Sequence, residues 1–172
     1  MLASLDVARK RLATEGHELI EQTIKLADET RARINDINGI SCVGREILGS
    51  KAAFNYDPTK LIISVKDLGL TGHDVEKWLR ESYQIEVELS DLYNILCIFT
   101  PGDRKEDADV LIKGLTDIAQ QAASAAENRR KPEVLLPNIP ALAMTPRDAF
   151  YANTEIIPFK KAAGRILSLI HI

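Results

Sequence analysis

The sequence predicts an α+β fold, an open sheet covered on one face by helices, and three observations predict it. Apolar residues return near a 3.6-residue period between Glu18 and Ile37, the texture turns to β after Gly39, and helical and β-type segments then alternate. The order that results is helix, helix, β, β, helix, β, β, helix.

Ser4 to Ala13 has helical composition, with Leu5, Ala8 and Leu12 at three- and four-residue steps, and Gly16 is expected to interrupt it. From Glu18 a second amphipathic helix carries Ile20, Ile24, Ala27, Ile34 and Ile37, with Lys25, Asp28, Glu29 and Arg33 between them. It is expected to end near Asn38-Gly39 and to extend about 30 Å. Ile40 to Val43, Ala52 to Phe54 and Leu61 to Val65 read as short strands, separated by Gly44, Gly49 and the Asp57-Pro58 turn signal. The next helix has Thr71 as N-cap, Asp74 at the capping-box position and Val75, Trp78 and Leu79 on its apolar face. Ile85 to Leu89 alternates like a half-exposed strand, whereas Tyr93 to Phe99 is nearly all apolar and predicts a central strand buried on both sides. Asp103, with Glu106 three residues on, is expected to cap a long helix faced by Val110, Leu111, Leu115, Ile118 and Ala122. "ENRRKPE" then reads as a charged linker, and prolines extend Leu135 to Pro140.

A chain of 172 residues can bury about 70% of its unfolded surface, enough for a core. With 45% hydrophobic and 27% charged residues and a net charge of -3, the composition is that of a soluble globular protein without the basic footprint of a nucleic-acid binder. No apolar run reaches the roughly 18 residues of a membrane span, so no membrane partner is expected and the cytoplasm is the expected location. Cys42 and Cys97 sit in apolar β-type sequence, where thiols behave as small hydrophobes. His17, His73 and His171 are far apart, and no zinc-ligand spacing is present.

Three blocks carry a family likeness: "DPTKLIISVKDLGLTG" (Asp57 to Gly72), "VELSDLYNILCIFTPGD" (Val87 to Asp103) and "PALAMTPRDAFYANTEIIPFKKAAGR" (Pro140 to Arg165). In that order they resemble the carboxy-terminal parts of the bacterial ornithine/lysine/arginine decarboxylases. The resemblance implies the small domain of the aspartate-aminotransferase-like fold: an open, mostly antiparallel sheet with helices on one face, plus long N-terminal helices. It implies pyridoxal phosphate as cofactor in the full-length parent, a basic amino acid as substrate and a homo-oligomer, dimer or higher. The family's Schiff-base lysine lies in a Ser-x-His-Lys type motif, which this chain lacks.

"MLASLDVARKRLATEG" is similar to the helix that follows that lysine, so the chain is expected to be a carboxy-terminal portion partnered by its own missing large domain. The expected division is 1–38, helices bridging from that domain; 39–126, the small domain; 127–166, linker and start of the C-terminal decarboxylase domain. Leu167 to Ile172, "LSLIHI", matches what a transposase adapter would encode and is expected to be a non-native tail. The implied function is decarboxylation of arginine, or of lysine or ornithine, in polyamine formation, with the portion inactive alone. The alternative is a free-standing α+β module that binds a small ligand or a protein.

Within this frame Glu88, Ser90 and Asp91 are candidates for the substrate cleft, because a carboxylate partly removed from water attracts a guanidinium or ammonium. A solvated turn between two antiparallel strands explains Ser90 and Asp91 by turn chemistry alone, and is the favoured reading. Arg147, Phe150 and Tyr151 are candidates for the active-site entrance or the subunit interface, although Thr145-Pro146-Arg147-Asp148 also makes a good helix start. Lys160-Lys161 reads as a solvated face. Gly69 and Gly72 match no nucleotide loop and read as a strand-to-helix turn.

Overall fold

The computed structural model describes residues 2–49, 51, 53–124 and 141–165, in two units, Met1–Glu133 and Val134–Ile172. The charged linker, the 135–140 stretch and the expected tail 167–172 lie outside the described residues.

The first unit begins with one continuous helix, α1 (Leu2–Asn35), about 51 Å long at 1.5 Å per residue. The expected break at Gly16 is not there. A glycine in a helix costs only about 1 kcal/mol relative to Ala, and neighbouring turns are tied by the pairs Arg11–Glu15 and Gln22–Glu18. The helix stops at Asn35, earlier than expected; Gly39 supplies the left-handed turn with φ +83° that redirects the chain.

The sheet has four antiparallel strands in the order β1 (Ser41–Cys42), β2 (Lys60–Ser64), β4 (Asn94–Ile98), β3 (Leu89–Ser90). Leu61 lies opposite Cys97 and Ile63 opposite Ile95, and all four are buried on one face. Ala53 and Phe54 form no strand, and Ala52 lies outside the described residues. Arg45–Ile47 is instead a short 3-10 turn. Strand character in the 85–89 stretch is confined to Leu89, which pairs with Leu96.

The β4 segment is central, as expected, but it is buried on one face only. Ile95 and Cys97 are covered, whereas Ile98 is exposed, as are Ile62 and Leu89, which flank Leu96. An apolar run signals depth without saying what covers each face.

Helices α2 (Gly72–Tyr83) and α3 (Lys105–Ser124) join the second half of α1 over the buried face. The α2 start is the expected capping box: Thr71 Oγ1 accepts from Asp74 N–H, and Asp74 Oδ2 accepts from Thr71 N–H. Val75 and Leu79 are fully buried and Trp78 half so. At α3 the expected cap is displaced by one residue. Asp103 accepts from the Thr100 N–H and hydroxyl, and Asp107 accepts from Arg104 N–H. Val110 is exposed; Ala108, Leu111, Leu115, Ile118 and Ala122 face the core.

Arg31 ties the helix layer to the sheet. Its Nε donates to Val43 O at 2.9 Å and its Nη2 to Pro58 O at 2.8 Å, Asp28 pairs with Nη1, and the guanidinium lies 5.7 Å from the Tyr56 ring. That saturation allows a charged side chain to stand 6% exposed.

The second unit, over residues 141–165, holds α4 (Pro146–Tyr151) and a 3-10 turn at Phe159–Lys161. The α4 start is as expected, with Pro146 in the first turn and Thr145 Oγ1 accepting from Asp148 N–H at 3.1 Å.

Candidate functional site

The polar island at the end of β3 is assembled by a turn that Asp91 organises. Its carboxylate accepts from the N–H groups of Tyr93 and Asn94, both at 2.7 Å, and these bonds, Tyr93 first, hold its pKa below the usual aspartate value. Gly72 is required beside this turn: a Cβ there would meet Asn94 O at 2.1 Å and Asp91 O at 2.4 Å. Glycine at 72 therefore serves close packing of α2 on the β3–β4 turn.

Ser90 points toward α2. Its hydroxyl donates to Glu76 and lies 2.7 Å from His73 Nδ1. An ionised carboxylate only accepts, so the one hydroxyl proton goes to Glu76 and His73 Nδ1 must carry a proton of its own. This arrangement makes Ser90 a strut from β3 to α2. It is no nucleophile paired with an imidazole base, because the imidazole nitrogen donates. Glu76 also pairs with Arg80, which reaches Glu86 at 2.9 Å, and the Ser90 bond is the first cause of Glu76's lowered pKa. Glu88 is exposed, and its backbone N–H donates to Leu96 O.

In the second unit Arg147 lies 5.5 Å from the Tyr151 ring, and Phe150 and Tyr151 meet edge to face at 5.1 Å. Both aromatic residues are exposed, as are Leu142, Ile156 and Phe159. Each group of candidates is thus locally ordered within its own unit.

Sequence reasoning missed His73 and Glu76 as partners of Ser90, and Arg80 as the cation that pairs with Glu76. The spacing of 73, 76 and 80 along one face of α2 was a visible signal; the approach of Ser90, fourteen residues from Glu76, was not.

Pyridoxal phosphate requires a lysine amine for its covalent anchor, and every lysine among the described residues is exposed. The residues present therefore do not fit that anchor. Nor are the thiols nucleophiles: both are free and buried, and burial pushes Cys42 up to about 11 and Cys97 up to about 12.

A helix-backed antiparallel sheet of this kind occurs in a solved decarboxylase. The structure of the Francisella novicida lysine decarboxylase superposes with a TM-score of 0.53 and 26% identity, covering 64% of this chain and 20% of that one. The family model for the Orn/Lys/Arg decarboxylase major domain matches residues 1–107. The chain belongs to the Orn/Lys/Arg decarboxylase family. Among its relatives, the arginine decarboxylases of Bacillus subtilis (strain 168) and Bacillus anthracis are 73% and 60% identical over 168 residues. Those 168 residues are 98% of this chain and 34% of each relative, so the chain spans about a third of their length.

Proposed function

We propose that this chain is the small-domain part of a pyridoxal-phosphate-dependent basic amino-acid decarboxylase, with arginine the favoured substrate and lysine or ornithine the alternatives. The observation that carries the reading is the 73% identity to the Bacillus subtilis arginine decarboxylase across nearly the whole chain. In this reading the cofactor anchor lies in the larger remainder of the parent, and the part described here closes over it. The parent acts in polyamine formation in the cytoplasm as a homo-oligomer, and the chain alone is inactive. No described helix is long and apolar enough to cross a membrane.

The uncovered apolar residues support a docking role. Leu2, Leu5, Val7 and Leu12 are at least half exposed along the first turns of α1, as are Phe150, Tyr151, Ile156 and Phe159 in the second unit. Exposed Glu88 is the carboxylate of the polar island best placed to meet a cationic substrate, because Asp91 is occupied by its own turn and Ser90 by Glu76. Arg147, Phe150 and Tyr151 serve the entrance or the subunit contact.

The test is carbon dioxide release from arginine, lysine and ornithine, measured on this chain and on the full reading frame that contains it. The full frame is expected to release carbon dioxide fastest from arginine, and this chain none. Release by this chain alone, or a full frame inactive on all three, would overturn the proposal; a full frame fastest on lysine or ornithine would overturn the arginine assignment.

A further inference from the structure

The groove between α2 and α3 has no part in the reading above. It is an open groove of about 360 Å³, lined by Trp78, Tyr83, Asp117, Gln120, Gln121 and Ser124. We propose that this groove binds a small organic cation, an alkylguanidinium or alkylammonium, with Asp117 as counter-charge and the Trp78 and Tyr83 rings as walls.

The two rings form a fixed, V-shaped wall. Their centroids are 6.1 Å apart and their planes are tilted by 53°. Trp78 Nε1–H donates to Gly114 O at 3.2 Å, and the Tyr83 hydroxyl donates to Asp117. Gly114 lets the Tyr83 ring come against α3, since a Cβ there would meet that ring at 3.1 Å and Leu79 at 2.8 Å. Rings held this way lose little freedom when a ligand enters.

The sign of the ligand follows from the described lining residues, which include one carboxylate and no cationic side chain. Asp117 Oδ2 accepts the Tyr83 hydroxyl hydrogen bond, and Oδ1 accepts no hydrogen bond among the described residues. Asp117's hydrogen bond is the first cause of the raised Tyr83 phenol pKa. The Tyr83 face already attracts a cation from within the chain, for the Lys113 ammonium lies 6.0 Å from its centroid. The amide oxygens of Gln120 and Gln121 and the Ser124 hydroxyl, which donates to Gln121 O, add acceptors for the several N–H groups of a guanidinium or ammonium. The open groove has room for a ligand of a few carbons with one charged head.

Trp78 is the one tryptophan of the chain, so its emission reports on the groove directly. The experiment titrates the 172-residue chain with butylguanidinium chloride, its uncharged isostere butylurea, and sodium chloride at matched ionic strength. A saturable change with a midpoint on the order of 1 mM is expected for butylguanidinium alone. Asp117→Asn is expected to raise the midpoint about tenfold or more. Because that change also removes the acceptor of Tyr83, Gln121→Lys provides a second variant that leaves the Tyr83–Asp117 bond in place and adds a competing ammonium. It too is expected to raise the midpoint, with an unchanged far-ultraviolet circular dichroism spectrum. A response that does not saturate, an equal response to butylurea, or an unchanged midpoint in Gln121→Lys would overturn the proposal. None of these outcomes depends on whether the parent is a decarboxylase.

Discussion

Residues 2–22 and 23–35 form one unbroken helix, yet only the second stretch is packed. Ala27 and Ile34 are fully buried, and Thr23, Thr30 and Arg31 nearly so, whereas Leu2 is 84% and Leu5 60% exposed. Helix formation in α1 is therefore a local property, supported by composition and by pairs such as Arg9–Asp6 and Arg11–Glu15. Burial is a tertiary property, supplied by α3 and the sheet over one half alone. The first half thus carries an apolar stripe, Leu2, Leu5 and Leu12, that is exposed rather than packed.

The largest expected effect belongs to Arg31. Replacement by Ala leaves Val43 O and Pro58 O without their donor and Asp28 without its cation, and a loss of about 3–5 kcal/mol is expected. Urea unfolding followed by circular dichroism measures it; a loss below about 1 kcal/mol would mean that the buried half of α1 does not depend on this anchor.

The comparison itself is tested by a matched pair of truncations. Ile34→Ala creates a cavity in the core and should cost about 2–5 kcal/mol, while Leu5→Ala should change stability by no more than about 0.5 kcal/mol. Equal costs would show that residues 2–22 pack against a surface in solution, and the two halves would no longer differ.

Glycines separate the regions more finely. A Cβ at Gly114 would press on Leu79 and Tyr83, so Gly114→Ala should cost about 1–3 kcal/mol. A Cβ at Gly16 would meet Leu12 at an ordinary 3.8 Å, and Gly16→Ala should stabilise the chain by about 0.5–1 kcal/mol. Thermal unfolding of the two variants should move in opposite directions.

The same contrast explains which parts of the fold were legible in the sequence. Features set by contacts within a few residues were readable: the Thr71–Asp74 capping box, the Thr145-Pro146 start and the turn at Asp91. Gly16 misled because a helix breaker acts through a modest free energy, which the flanking turns outweigh. The apolar run of β4 misled because hydrophobicity does not say which of two faces has a neighbour. The polar island was legible as a place, but its wiring was not. Ser90 meets His73 and Glu76 only after β3 has docked beside α2, and no periodicity links those positions. For the same reason the α2–α3 groove was invisible: Tyr83 and Asp117 are 34 residues apart in the chain.

The smallest expected effect tests that wiring. The Ser90 hydroxyl holds Glu76 below the usual glutamate value of 4.5, so the strut contributes stability that is present above pH 4.5 and is lost as pH falls through Glu76's lowered folded value. In Ser90→Ala the folded pKa of Glu76 returns toward 4.5, with Arg80 still opposing that rise. The melting temperature of the variant should therefore lie below that of the native chain at about pH 5.5, and the gap should narrow as pH approaches about 3. Asp91, held by the Tyr93 and Asn94 amides, keeps part of the acid sensitivity in both proteins. A gap that stays constant across that range would mean that Ser90 acts through packing alone, and that the link between β3 and α2 is not the charge-assisted bond to Glu76.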